Sequence, residues 1–100
     1  MIATVTLNPS LDEHISVNGL MVEEANRWSK LRRYAGGKGI DVSRAIHEMG
    51  GRTLAYGFTG GQQGRAVEIL LDEEGVSFSF TPIEQETRTN FVINDIKIFI

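Results

Sequence analysis

Two helical segments alternate with apolar strand segments through the middle of the chain, and this order restricts the possible folds more than any other feature. Strand patterns are predicted over residues 2–7, 52–58, 76–83 and 87–95. One helical pattern follows the glycines at residues 36–39, and the other covers residues 61–75. The alternation predicts an α/β fold in which crossover helices join parallel strands.

Each helical pattern has an apolar face and a glycine stop. The first pattern is predicted to turn four side chains inward, at the three-and-four spacing of a helix face: Val42, Ala45, Ile46 and Met49. It should stop at Gly50 and Gly51, because glycine readily adopts the left-handed conformation that ends helices. The second pattern is predicted to bury Val67, Leu70 and Leu71 and to end at Gly75.

The predicted sheet has more surface than the predicted helices can cover. Residues 2–7 are β-branched or apolar at nearly every position, which predicts a strand buried on both faces. Two helices can cover about one face of a parallel sheet. We therefore interpret residues 1–100 as the N-terminal portion of a larger domain, incomplete at its C-terminal side. The apolar alternation at 96–100 predicts an edge strand open to pairing with another chain.

Composition excludes several classes of function. The net charge of −3 over 100 residues argues against general nucleic-acid binding. No stretch has the roughly 18 apolar residues of a membrane helix, and the N-terminus does not resemble a signal peptide. A cytoplasmic protein without membrane contact is therefore expected. Cysteine is absent, and His14 and His47 lack metal-ligand spacing, so no metal site is predicted.

The basic residues are unevenly distributed. Between Glu24 and Asp41 the chain has no acidic residue but has half of its lysines and arginines: Arg27, Lys30, Arg32, Arg33 and Lys38. This clustering fits attraction of a small anion. A solvated strand face would explain the same pattern equally well.

The glycine motif "GGKGID" at residues 36–41 leads into the first helix. It does not match a Walker loop or a dinucleotide-binding fingerprint, because Arg32 and Val42 stand where those motifs need glycine. This disfavours a nucleotide-binding Rossmann fragment. Glycines before a helix N-terminus still allow close approach of anionic or hydroxyl oxygen. Asp41 could accept hydrogen bonds from sugar hydroxyls or could cap the helix.

Three stretches together resemble the ribokinase-like, PfkB-type sugar kinases, nearest the 1-phosphofructokinase and tagatose-6-phosphate kinase branch. They are "TLNPSLD" (6–12), "GGKGIDVSRA" (36–45) and "TRTN" (87–90), and "GFTGGQQG" (57–64) is similar to the same branch. The resemblance extends to Asp95. It implies a ribokinase-like parallel sheet with a small β lid, the lid strands lying at about 13–20 and 26–35.

The resemblance also implies roles for individual residues. Asp12 would hold sugar hydroxyls, although it could simply shape the turn after Pro9. Arg88 and Asn90 would reach the phosphate of the substrate, although Arg88 could be an ordinary surface residue. Gly36, Gly37 and Asp41 would line the sugar from the other side, and Arg27 and Lys38 could add to the positive charge near the phosphate.

The family usually has asparagine at the position of Asp41. A carboxylate there accepts from hydroxyls but repels a nearby phosphate, which makes a non-phosphorylated sugar an alternative substrate.

The family's GAGD-type motif, which supplies the catalytic base and an anion hole, does not occur in these 100 residues. The resemblance implies ATP and Mg²⁺ as cofactors of the full-length enzyme. For this chain alone we expect no cofactor and no catalytic residue. We thus hypothesise the acceptor-sugar part of an ATP-dependent sugar or sugar-phosphate kinase, inactive alone. The alternative is a truncated, non-catalytic module that self-associates and binds sugar weakly or not at all. In either case a homo-oligomer through the lid strands or the open sheet edge is expected.

Overall fold

The computed structural model of the chain describes residues 1–20, 25 and 27–95. The predicted edge strand at 96–100 lies outside the described residues, as do residues 21–24 and 26 of the lid region. Six strands and two helices are found in the described ranges: β1 (Ile2–Thr6), β2 (Ser10–Val17), β3 (Trp28–Gly36), α1 (Lys38–Glu48), β4 (Thr53–Thr59), α2 (Gly61–Glu74), β5 (Phe78–Pro82) and β6 (Arg88–Asp95).

The first sheet has the order β1-β4-β5, and all of its pairings are parallel. This confirms the α/β fold with crossover helices. Both helices lie on one face of this sheet. Ser43 of α1 is hydrogen-bonded to Thr53, and Glu68 of α2 accepts a hydrogen bond from Thr59. Thr53 and Thr59 are an even number of residues apart on β4, so their side chains point to the same face. The connections run in one direction across the sheet, so crossovers of a single hand place both helices on the same side.

The prediction that β1 is buried on both faces is wrong. Thr4 and Thr6 are buried under α1, whereas Val5 and Leu7 on the other face are 64% and 71% exposed. Neighbouring β4 shows the same exposure at Tyr56 and Phe58. An unbroken apolar run cannot distinguish a strand covered on both faces from one whose second face meets no partner within the described chain.

The second sheet has the order β3-β2-β6 and corresponds to the predicted lid strands. β2 pairs antiparallel with β3 and parallel with β6. Strand β2 covers residues 10–17 and strand β3 covers residues 28–36, whereas the predicted lid strands lay at about 13–20 and 26–35. The participation of β6 was not predicted, because a strand pattern shows that a strand exists and not which sheet it joins.

A single core joins the two sheets. Val67 and Leu71 of α2 are fully buried and pack with Leu11 of β2 and Ala35 of β3, together with Ile40 at the start of α1. This confirms the predicted inward face of α2, in which Leu70 is partly buried. Helix α2 ends at Gly75 in the left-handed conformation (φ 78°), also as predicted.

The predicted inward face of α1 is wrong, although its glycine stop is confirmed. Val42 and Met49 are 51% and 80% exposed, and the buried residues are Ile40 and Ser43. The reason lies in the sheet beneath the helix, which presents threonine hydroxyls. Ser43 Oγ lies 2.6 Å from Thr4 Oγ1 and 2.7 Å from Thr53 Oγ1, so a small polar side chain fits there.

Neither helix in the described part of the chain is long and apolar enough to cross a membrane.

We predict that Ser43→Ala lowers the free energy of unfolding by about 1–3 kcal/mol, because two buried threonine hydroxyls lose their shared partner. Urea denaturation of the variant measures this loss. Ser79→Ala, at an exposed position on β5, is the matched control and should change stability by less than about 0.5 kcal/mol. Equal effects of the two substitutions would contradict the role of the buried hydroxyl chain.

Candidate functional site

The central strand of the second sheet brings distant parts of the chain together. In its register Ser10 lies opposite both Gly36 and Arg88, and Asp12 lies opposite Asn90. Because side chains alternate along strands, these residues share one face of the sheet. We call the group formed there the Asp12 cluster: Asn8, Ser10, Asp12, Gly36, Arg88 and Asn90.

The Asp12 carboxylate is held through one of its two oxygens. Ser10 Oγ donates to Asp12 Oδ1 at 2.7 Å, and Asn90 Nδ2 donates to the same oxygen at 3.2 Å. No hydrogen bond to Oδ2 is found among the described residues. A carboxylate oriented by two donors with a second oxygen open is suited to accept hydrogen bonds from hydroxyl groups. Asp12 lies on β2 and does not shape the turn after Pro9.

Gly36 is needed beside this carboxylate for steric reasons. A Cβ atom on Gly36 would overlap the Asp12 carboxylate and would lie 2.6 Å from Ser10 Oγ. The side chains of Ser10 and Asp12 therefore occupy the space that any larger residue would need. Gly37 is required by its backbone, since its φ of 133° strongly favours glycine.

Arg88 lies at the exposed end of the cluster. Its guanidinium donates to the Asn8 carbonyl oxygen at 3.3 and 3.4 Å and to Asn90 Oδ1 at 3.4 Å. These distances are long for hydrogen bonds, so the group can exchange them for a stronger anionic partner. Beside it lies a cavity of about 290 Å³ whose lining includes Leu7, Phe58 and Arg88.

Asp41 does not cap α1, contrary to one of the two roles considered for it. The N-cap is Gly37, with no side-chain hydrogen bond. Asp41 Oδ1 instead pairs with Arg44 Nη1 at 2.9 Å. Arg44 also contacts Glu74 at 2.7 Å, and this hydrogen bond raises the pKa of Arg44 above its usual value, against the opposing effect of partial burial.

The predicted site residues thus fall into two groups. The structure brings Asp12, Gly36, Arg88 and Asn90 into one cluster, with Gly37 next to it. Asp41 belongs to the Arg44 ion-pair network. Within the described ranges, Lys38 and Arg27 are exposed and form no hydrogen bond with the cluster.

The basic stretch divides between the two faces of the second sheet. Arg33 pairs with Glu13 at 3.1 Å on one face. The strand alternation places Lys30 and Arg32 on the other face, with Asp12. One arginine of the stretch is therefore paired within the sheet, and two basic residues lie on the face of the Asp12 cluster. Attraction of an anion by these residues stays a prediction.

Ser10 and Asn8 were not among the predicted site residues. Ser10 precedes Asp12 by two residues, so a strand assignment beginning at Ser10 would have placed both side chains on one face. Asn8 contributes only its backbone carbonyl, for which a side-chain pattern gives no signal.

The described residues thus combine a parallel sheet with crossover helices and a carboxylate-arginine cluster on a second, smaller sheet. Comparison with known proteins shows the family of the chain. Residues 5–97 match the model of the pfkB family of carbohydrate kinases. The chain belongs to this family.

Solved structures give the same result. Phosphofructokinase-2 from Escherichia coli, in complex with fructose-6-phosphate, is 33% identical with a TM-score of 0.88, over 95% of this chain and 31% of that chain. A protein named as a possible 1-phosphofructokinase from Thermotoga maritima is 38% identical with a TM-score of 0.84, over 97% of this chain and 32% of that chain. This chain therefore spans about a third of the length of these relatives.

The ribokinase-like fold is confirmed by a more distant match. A protein assigned as a ribokinase from Agrobacterium tumefaciens has a TM-score of 0.77 at 21% identity, over 94% of this chain and 32% of that chain. The resemblance drawn from the sequence motifs is therefore correct for both the family and the fold.

We predict that Gly36→Ala lowers the free energy of unfolding by about 1–3 kcal/mol, because the new Cβ displaces the side chains of Asp12 and Ser10. The cost should be smaller in an Asp12→Ala background, where part of the overlap is removed. Urea denaturation of the two single variants and the double variant measures this coupling. Fully additive losses would show that Gly36 and Asp12 do not compete for the same space.

Proposed function

We propose that this chain forms the acceptor-sugar part of an ATP-dependent carbohydrate kinase whose substrate is a hexose phosphate. The observation that carries the proposal is the Asp12 cluster, in which an oriented carboxylate and an exposed guanidinium are joined through Asn90. Such a pair can recognise both ends of a sugar phosphate. Asp12 Oδ2 would accept hydrogen bonds from sugar hydroxyls, and Arg88 would bind the phosphate.

The environment of Asp41 weakens the argument for a non-phosphorylated substrate. Its carboxylate is paired with Arg44, which Glu74 shares, so part of the negative charge that would repel a phosphate is compensated. Lys30 and Arg32, on the same sheet face as Asp12, add positive charge, and Lys38 and Arg27 would contribute to it. The E. coli relative that was solved with fructose-6-phosphate gives this sugar phosphate as the first ligand to test.

ATP and Mg²⁺ belong to the full-length members of this kinase family. Within the described residues, no group of three or more histidine, aspartate or glutamate side chains could hold a metal ion, and the sequence has no GAGD motif. The residues present do not fit the nucleotide and its metal, so no step of phosphoryl transfer is derived from them. We expect no phosphorylation by the 100-residue chain alone, and an assay of ATP-dependent transfer to fructose-6-phosphate tests this.

We predict that Arg88→Gln weakens fructose-6-phosphate binding about 10- to 100-fold, because a charged hydrogen-bonding partner of the phosphate contributes about 1.5–3 kcal/mol. Isothermal titration calorimetry measures the change. Fructose affinity should stay within about twofold. Arg65→Gln, at an exposed position on α2, is the matched control. Equal loss for both sugars, or no loss for the phosphate, would contradict the role of Arg88.

A second candidate, a non-catalytic module that self-associates, is favoured by one observation. The face of the first sheet opposite the helices exposes Val5, Leu7, Tyr56 and Phe58. Apolar side chains contiguous on a sheet face are typical of an interaction surface. In a longer kinase, the remainder of the chain would cover the same surface.

We predict that Val5→Lys weakens any self-association of the 100-residue chain by at least about tenfold, because a charge would be buried in the contact. Analytical ultracentrifugation over a concentration series measures the dissociation constant. Met49→Lys, an apolar-to-lysine change at the exposed C-cap of α1, is the control. A chain that stays monomeric at all concentrations would rule out the second candidate.

A further inference from the structure

The loop that joins β5 to β6, residues 83–87, is hydrogen-bonded to the start of α2. Thr87 N donates to the Gly60 carbonyl oxygen at 2.9 Å, and Gly60 N donates back to Thr87 Oγ1 at 3.0 Å. At the other end of the loop, Ile83 N donates to the Thr59 carbonyl oxygen at 2.8 Å. Thr87 is only 6% exposed. The residue directly before Arg88 is therefore fixed at both its backbone and its side chain.

Glu86 makes a second connection to the same helix. Its Oε1 accepts a hydrogen bond from Gln63 N at 2.7 Å, although the N-cap of α2, Gly60, offers no side-chain acceptor. A carboxylate at this position satisfies a free N–H group of the first turn and interacts favourably with the helix dipole. Glu86 thus supplies from the loop the cap that α2 lacks in its own sequence.

The glycines of the "GFTGGQQG" stretch make room for this loop. A Cβ on Gly60 would overlap the Gln85 carbonyl oxygen, and one on Gly61, whose φ is +67°, would overlap the Glu86 carboxylate. A Cβ on Gly64 would lie 2.9 Å from Thr87 Oγ1. The proposed sugar site does not involve these glycines. Their common effect is to let residues 83–87 lie directly on the helix.

We propose that Thr87 and Glu86 are positioning residues for Arg88. This inference rests on the proposed function, in which Arg88 binds the phosphate of the sugar. Among the described residues, the guanidinium is held only by hydrogen bonds of 3.3 and 3.4 Å, so its side chain is weakly fixed. The hydrogen bonds of Thr87 and the strand pairing of Arg88 with Ser10 fix the backbone of Arg88, from which the side chain extends. The GFTGGQQG stretch would thereby serve phosphate recognition without contacting the substrate.

The test compares Thr87→Val, which keeps the shape but removes the hydroxyl, with Thr87→Ser, which keeps the hydroxyl. Calorimetric titrations with fructose-6-phosphate and fructose would use the protein in the form its source cell produces. We expect Thr87→Val to weaken fructose-6-phosphate binding at least fivefold and to leave fructose binding within twofold. Thr87→Ser should restore most of the affinity for the phosphate.

A double variant separates positioning from a general structural role. If Thr87 acts through Arg88, then adding Thr87→Val to Arg88→Gln should cause no further loss of fructose-6-phosphate affinity. A full additional fivefold loss, or an equal loss of fructose affinity, would overturn the inference while leaving the role of Arg88 intact. If Arg88→Gln alone leaves fructose-6-phosphate binding unchanged, the proposed function fails and the inference fails with it.

If circular dichroism shows that Thr87→Val does not fold, a variant at an exposed position tests the positioning role instead. Glu86→Ala removes the cap from an exposed position, and Glu84→Ala, in the same loop and without a hydrogen bond among the described residues, is its control. We expect Glu86→Ala to weaken fructose-6-phosphate binding at least twofold more than fructose binding, and Glu84→Ala to change neither. Identical behaviour of the two alanine variants would overturn the inference.

Discussion

The pairing of β2 with both β3 and β6 is the constraint on which the site depends. β3 delivers Gly36 to one side of Ser10 and Asp12, and β6 delivers Arg88 and Asn90 to the other. Residues that are almost 80 positions apart thereby share one sheet face. The strand register, rather than any single side-chain contact, creates the cluster. A one-residue slip of β6 would turn Arg88 and Asn90 to the opposite face.

The second sheet is in turn held by α2. The inner part of this sheet buries Leu11 and Ala35 against Val67 and Leu71 of the helix. On its other face it carries the Asp12 cluster. The apolar side therefore gives the polar side a rigid base, and the loop at residues 83–87 ties the start of β6 to the same helix. The core packing and the candidate site thus lie on opposite faces of one sheet.

Some of this architecture was predictable from the sequence. The order of strands and helices, the inward face of α2 and its glycine end follow from local patterns that the structure confirms. Asp12, Gly36, Arg88 and Asn90 were grouped by resemblance to a family, and the structure brings them together. Their part in sugar binding stays a proposal.

Other features depend on pairings between distant segments, about which local patterns carry no information. The sheet that β6 joins, the hydroxyl-lined surface under α1 and the ion pair of Arg44 with Glu74 are of this kind. The apolar face at Val42 and Met49 is a real pattern, but burial depends on what the neighbouring strands present. The exposed face of β1 was misjudged for the same reason.

Binding of a hexose phosphate by the Asp12 cluster can be tested by titrating ¹⁵N-labelled protein with fructose-6-phosphate and following the amide chemical shifts. We expect the largest changes at residues 10–12, 36–37 and 88–90. Changes concentrated instead at the groove beside Tyr34, Arg44 and Glu74, or no changes at saturating ligand, would contradict it.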